Sequence, residues 1–570
     1  MNITVDLKAK PFYLNDDQIA WVKKTIEGMS LEDKVGQLFL LNSLTLPAED
    51  LLKEMGEIGL KPGGYLFRGA SSEKIREKVE KLQNANEIPL FIAGDLDRGS
   101  SNMISDGTPN GHQMEIGATQ DPELAYKAGL QCAKECAAVG ANWNFGPVCD
   151  IDFNPYNPII NVRSFGSDPE KVAEFTKQAA RGMRDGGLLP CAKHWPGDGV
   201  DFRDQHYIAS VNSLSKEEWD KSYGLVYKTL IDDGMESVMS AHIILPAYAK
   251  YFNPELQDGE ILPGSLNYDL HHKLLREQLG FNGVIITDSC NMAGFTEMMP
   301  RWKAVPTCIQ NGADIFLFTR NTAEDYEYMK QGLKNGLLTE ERLDEALQRI
   351  LGMKAMLKLP EKKANGTLVP PVEALEIFKE PKPLAKEIAD KGITLVKDTQ
   401  HLLPLNPEKQ KNIYLIVIGD TENYHTSNSG YGKLFRRLME ERGFHIDQYG
   451  DSPEVSLYYS KGNLEELKKK YGCILYFVNL CSSGSDSACR ISWPGIRMTM
   501  PTLVSDIPHM MVSIDNPYHL IDAPRIPTYI NAYTSEDVVV ETLVEKICGD
   551  SEFKGVSPVD PFCGIYAADK

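Results

Sequence analysis

The chain has 570 residues, more than a single hydrophobic core organises, so two or more domains are expected. Its composition, 42% hydrophobic and 25% charged, is that of an ordinary globular protein. A net charge of −20 repels nucleic acid and anionic membrane surfaces, and suits a neutral or small substrate better than a polyanion.

The N-terminal stretch MNITVDLKAKPFYLNDDQIAWVKK has neither the apolar core nor the cleavage site of a signal peptide. No apolar run approaches the roughly 18 residues of a membrane span. The 11 cysteines are odd in number, scattered and without a CxxC pair. Buried free thiols in a reducing cytoplasm account for them best, so a cytoplasmic location is expected.

From about residue 30 to 355, short apolar runs alternate with longer amphipathic ones. SLEDKVGQLFLL reads as a helix start, with Ser30 as N-cap and Asp33 at the third position. Strand-like runs follow at 63–67, 89–94, 141–148, 188–193, 237–242, 283–287 and 313–318. Helical patterns such as PELAYKAGLQCAKECAAVG and PEKVAEFTKQAARGMRDGG lie between them. Strand–helix alternation over this length implies a parallel sheet covered by helices, and a (β/α)8 TIM-type barrel is its natural closure. The Pro- and Lys-rich stretch 358–385 reads as a linker. Apolar runs at 412–420, 473–480 and 509–515 alternate with charged helices beyond it, as in a smaller α/β sandwich domain. The expected division is thus a catalytic barrel at 1–357, a linker at 358–385 and a C-terminal domain at 386–570.

In such barrels, sites form at the C-terminal ends of the strands. Here those ends carry Asp95, Lys193 with His194, His242 and Asp288, and a long loop after the third run carries Arg163. A single polar strand end is usually just a capped turn; five converging on one rim suggest a site. The loop KHWPGDGVDFRDQH (193–206) gathers the densest titratable chemistry, and Gly197 and Gly199 permit it to bend. Asp204 and His206 are close enough along it for the carboxylate to fix the imidazole tautomer. Two groups of this kind suit retaining glycoside chemistry: Asp288, emerging rigidly after GVIIT, as nucleophile, and the loop as proton donor.

These motifs carry a resemblance. KHWPGDGVDFRDQH, MSLEDKVGQLF, NFGPVCDID, NPIINVRSFGSD, VMSAHI, GVIITDSCNMAGF and NGADIFLF resemble, in order, the blocks of glycoside hydrolase family 3, and within it the β-N-acetylglucosaminidase branch. The resemblance implies Asp288 as nucleophile, His206 as acid/base oriented by Asp204, and Asp95, Arg163, Lys193, His194 and His242 as substrate-binding residues. It implies a small carbohydrate substrate, no metal, no cofactor, and no nucleic-acid or membrane partner. Two departures stand out: Asp198 occupies a position that is often histidine in the family, and Ser100 one that is arginine, for which Arg98 is the candidate replacement. The loop at 481–493 is a candidate cap over the site.

Alternatives within the family are a β-glucosidase-type exo-glycosidase and an N-acetylglucosaminide phosphorylase, since a histidine acid/base does not repel phosphate as a carboxylate would. Outside it stand a metal-dependent barrel hydrolase using Asp95, His194, His242 and Asp288 as ligands, and a non-catalytic sugar-binding protein. The absence of an HxH pair on an early strand and the lysine beside His194 weigh against a metal.

Overall fold

The computed structural model describes residues 4–43, 46–421, 429–480, 490–495 and 498–570. These divide into two compact units. The first comprises residues 1–109, 125–151 and 169–381, and the second residues 110–124, 152–168 and 382–570.

The first unit is a (β/α)8 barrel. Its strands are β1 (Phe39–Asn42), β2 (Gly64–Leu66), β3 (Phe91–Gly94), β4 (Trp143–Asn144), β5 (Cys191–Trp195), β6 (Ser237–Ser240), β7 (Val284–Thr287) and β8 (Phe316–Leu317). They hydrogen-bond as two parallel groups, β8-β1-β2-β3-β4 and β5-β6-β7. Parallel bridges Trp143↔Leu189 and Val148↔Lys193 join β4 to β5, and Ile286↔Ile315 joins β7 to β8, so the circle closes. Buried side chains fill it: Trp143 packs on Phe91 at 5.0 Å between ring centroids, and its indole donates to Ser237 Oγ at 2.9 Å.

One expectation needs correction here. Ser30 does cap a helix, accepting from the Asp33 N–H at 3.1 Å, but the helix ends at Gly36. The apolar run that follows is not its continuation; it is β1, completely buried at Phe39 and Leu40. The stretch read as a linker is ordered, with helices at Leu359–Ala364 and Val372–Lys379, and Arg76 Nε donates to Pro370 O at 2.9 Å.

The second unit contains a six-stranded sheet. In chain order its strands are β9 (Thr394–Asp398), β10 (Asn412–Gly419), β11 (His445–Gln448), β12 (Cys473–Asn479), β13 (His509–Ser513) and β14 (Thr528–Asn531). Their spatial order is β9-β14-β13-β12-β10-β11, with only β9 antiparallel. Alternate residues of the central strands feed two apolar clusters, one around Leu415, Phe477 and Val512 and the other around Tyr414, Tyr476 and Met511, as expected for a sheet with helices on both faces. Residues 481–489, most of the loop named as a candidate cap, lie outside the described residues.

Candidate active site

The polar residues of the barrel gather where its strands end. Asp95 follows β3, and Lys193 and His194 lie within the last turnings of β5. His242 follows β6 by one residue, and Asp288 follows β7 directly. Each apolar strand core is locked in the barrel, so the first polar residue beyond it emerges with little freedom.

Asp288 is 6% exposed, and its backbone N–H is fixed by Ser240 O at 2.7 Å. Its Oδ1 accepts from the Ser289 N–H at 2.7 Å, while Oδ2 is buried and has no hydrogen-bond partner. Burial pushes this carboxyl up, but the neighbouring His194, His242 and His206 and the Ser289 N–H outweigh it and hold the group below the usual carboxylate range. A buried, ionised carboxylate with one unused oxygen is a poor structural element.

The loop 193–206 is shaped by close approaches. Gly197 has φ of 120° and Gly199 of 104°, and a Cβ on either would sit 2.2 Å from the Tyr223 ring or 2.0 Å from Ile151 O. The Tyr223 hydroxyl donates to Asp198 O, and Asn212 Nδ2 to Gly197 O at 3.0 Å. On the returning limb, Gln205 O and His206 O accept from the Gly294 and Ala293 N–H groups at 3.2 and 3.0 Å. His206 is thereby carried to the region of Asp288. Its Nδ1 donates to Asp204 Oδ1 at 2.6 Å, which fixes the ring and its tautomer.

His194 is built the same way, with Nδ1 donating to Asp150 Oδ2 at 2.6 Å. Asp150 also accepts from the backbone N–H of His194, at 3.1 Å, and of Asp198, at 2.8 Å, so one buried carboxylate ties strand end to loop. Lys193 Nζ lies 2.6 Å from Asp95 Oδ1 and 2.9 Å from Asp97 Oδ1. Arg68, just beyond β2, donates from Nη2 to Asp95 Oδ2 at 2.8 Å.

The structure thus groups Asp95, Lys193, His194, Asp204, His206 and Asp288 on one rim. His242 needs correction as a sugar-binding residue. It is fully buried, with Nδ1 against Ser265 Oγ and Nε2 against Ser289 O, both at 2.9 Å, so its ring supports the turn that carries Asp288. Arg163 lies in the second unit, on a short 3₁₀ turn where its Nη1 donates to Ile159 O at 3.1 Å. Arg68, beside Lys193, is a second cation on Asp95. The Ser100 hydroxyl is buried against the Glu135 carboxylate. Among the described residues, no three His, Cys, Asp or Glu side chains converge as metal ligands would, and no helix is long and apolar enough to cross a membrane. Sequence reasoning missed Asp150, Asp97 and Arg68. Arg68 alone had a readable signal, since YLFR ends in a charge as PLFIAGD does.

Fold and site together define a (β/α)8-barrel protein whose titratable side chains gather at the C-terminal ends of its strands. The glycosyl hydrolase family 3 N-terminal domain matches residues 30–353, and the chain belongs to that family. It is 39% identical to a "Beta-N-acetylglucosaminidase/beta-glucosidase" of Cellulomonas fimi, over 99% of each chain. It is 32% identical to beta-hexosaminidase A of Pseudoalteromonas piscicida, over 59% of this chain and 58% of that one. Among solved structures it resembles the beta-glucoside phosphorylase BglX bound to 2FGlc, with TM-score 0.93 and 44% identity over 98% of this chain and 99% of that one. A family 3 β-N-acetylglucosaminidase from Paenibacillus sp. str. FPU-7 shares the fold, with TM-score 0.75 and 23% identity over 94% of this chain and all of that one.

Proposed function

We propose that the protein is a retaining, exo-acting enzyme that cleaves terminal β-linked N-acetylglucosamine. The observation that carries this reading is the unpartnered, buried Oδ2 of Asp288 in the field of His194, His206 and His242. Asp288 attacks the anomeric carbon while the glycosidic bond breaks, and Nε2–H of His206 passes its proton to the departing oxygen. An acceptor then attacks the glycosyl–Asp288 bond from the opposite face. The carboxylate leaves, and when the acceptor is water its proton returns to His206. Two inversions retain the configuration. Asp204 holds the ring and stabilises its protonated form. Asp95, Lys193 and His194 bind the sugar's hydroxyl and N-acetyl groups. All catalytic groups in this reading come from the barrel, within residues 1–357, and the substrate is a small cell-wall or chitin-type fragment met in the cytoplasm.

Two specific observations favour a second reading of sugar and acceptor. The Cellulomonas fimi relative is named for both N-acetylglucosaminide and glucoside cleavage, which supports β-glucosides as substrates. The 44% identity to a beta-glucoside phosphorylase supports inorganic phosphate as acceptor, giving a sugar 1-phosphate in place of the free sugar. A neutral imidazole at the acid/base position admits a phosphate dianion that a carboxylate would repel. A panel of aryl β-glycosides, each assayed with and without phosphate, tests both. Preferential cleavage of the N-acetylglucosaminide supports the first sugar assignment, and equal or faster cleavage of the glucoside overturns it. Acceleration by phosphate with formation of the 1-phosphate selects phosphorolysis.

A further inference from the structure

We propose that Arg68 is a specificity-determining residue of the sugar site, and that with Asp95 it forms a donor–acceptor pair reading hydroxyls of the terminal sugar. The inference rests on the reading of the barrel rim as a glycoside-cleaving site.

The pairing follows from the barrel register. Tyr65 of β2 lies beside Ile92 of β3, and the Phe67 N–H donates to Ala93 O at 2.9 Å, so the chain leaves the two strands in step. Residue 68 therefore emerges alongside residue 95. Each oxygen of Asp95 then meets its own cation, Lys193 at 2.6 Å on Oδ1 and Arg68 at 2.8 Å on Oδ2. Lys193 is shared with Asp97 at 2.9 Å, so one lysine faces two carboxylates. Arg68 adds a second positive charge beside these two carboxylates. Burial and Asp97 push the Asp95 carboxyl up, and Lys193 and Arg68 bring it below its ordinary range, so it stays an ionised acceptor.

Exposure separates the two cations. The Lys193 side chain is 3% exposed and forms part of the floor, whereas that of Arg68 is 50% exposed and stands at the lip. Among the described residues, Asp95 is the only acceptor on the Arg68 guanidinium, which has five N–H donors in a planar fork. A purely structural ion pair so exposed contributes little. A guanidinium holding one side of a carboxylate, with further donors at the mouth, instead presents donor and acceptor side by side, as neighbouring sugar hydroxyls require. A site built to hydrogen-bond a hydroxyl rejects the analogue that lacks it, which gives the pair discriminating power.

The test compares wild type, Arg68→Ala, Arg68→Lys and Asp95→Asn on an aryl β-glycoside and its 3-, 4- and 6-deoxy analogues, with circular dichroism and Tm to confirm folding. Arg68→Ala is expected to lower kcat/KM on the parent roughly 10–100-fold, the range of a charge-assisted hydrogen bond. That loss should shrink to a few-fold on one deoxy analogue, and Asp95→Asn should lose its own penalty on the same or the adjacent position. Arg68→Lys should recover part of the activity, and Arg68→Ala should move the acidic limb of kcat/KM upward, because Asp95 then protonates more readily. Losses equal on every analogue, or no loss at all, overturn the proposal while leaving the glycosidase reading in place. A wild-type protein that neither cleaves these glycosides nor binds the free sugars in calorimetry would overturn both.

Discussion

His206 Nδ1 stands 2.6 Å from Asp204 Oδ1, and the His206 backbone N–H donates to the same oxygen at 2.9 Å. One carboxylate oxygen therefore fixes both the ring and the chain that bears it. Asp204 is 3% exposed and His206 is part exposed at its ring, so the buried partner anchors the solvent-facing one. This arrangement predicts a leaving-group signature. His206→Ala should slow cleavage of a natural disaccharide roughly 10²–10⁴-fold and that of an activated aryl glycoside far less, because a good leaving group needs no proton. Asp204→Ala should show the same pattern, and the double variant should cost little more than the worse single one. Steady-state kinetics on the two substrates check it.

Gly197→Ala and Gly199→Ala should each destabilise the barrel by about 1–3 kcal/mol, since the new methyl meets the Tyr223 ring or Ile151 O at a positive φ. Activity should fall with stability, because the loop's path sets where His206 arrives. Chemical denaturation alongside kcat measurement reads both. An Ala variant of Gly187, where a Cβ meets nothing within 4 Å, is the control for positive φ without crowding.

The second unit should lose stability as pH rises. Glu115 is 1% exposed, and burial, with Glu536 and Asp515 nearby, raises its carboxyl from the ordinary 4.5 to about 8. Asp152, whose carboxylate accepts from the Tyr518 hydroxyl at 2.5 Å, is raised by burial to about 7. Below pH 4.5 Glu115 is protonated in the folded and unfolded states alike, and its contribution is intact. Between 4.5 and 8 only the folded state keeps the proton, so stability falls until the folded group also ionises. Glu115→Gln should flatten this slope in a pH series of denaturation curves.

Lys354 should act in the opposite sense within the barrel. Its amine is fully buried, donates to Gln37 Oε1 at 2.7 Å and lies 5.0 Å over the Phe91 ring. Burial lowers it from 10.5 to about 7. Between those values folding releases a proton and stability rises with pH; below 7 the buried charge costs on the order of 3–5 kcal/mol. Lys354→Met should raise the barrel's Tm at pH 6 and remove the rise between pH 7 and 10.

What was legible in the sequence, and what was not, follows the range of the interactions. Asp288, Asp95 and the Lys193–His194 pair could be read because each follows an apolar strand core, and local pattern encodes strand ends. The Asp204–His206 contact spans two residues and is local too. Asp150 was missed because its partners, His194 and Asp198, lie more than forty positions away and meet it only when the barrel closes. Arg68 reaches Asp95 across 27 positions, and Glu135 reaches Ser100 across 35. β1 was read as helix because QLFLL continues an apolar period whose end is set by pairing with β2 and β8. β4 shrank to two residues because the Gly146-Pro147 step interrupts the run. The assignment of residues 110–124 and 152–168 to the second unit is likewise a long-range property, with no compositional mark at those positions.

The central claim is a covalent sugar–Asp288 step, and the configuration of the first product tests it most directly. Proton NMR during the first turnovers of a β-glycoside, with and without phosphate, should show the β-configured product forming first, and Asp288→Asn should form none while keeping the wild-type fold. An α-configured first product would contradict the double displacement and remove Asp288 as nucleophile.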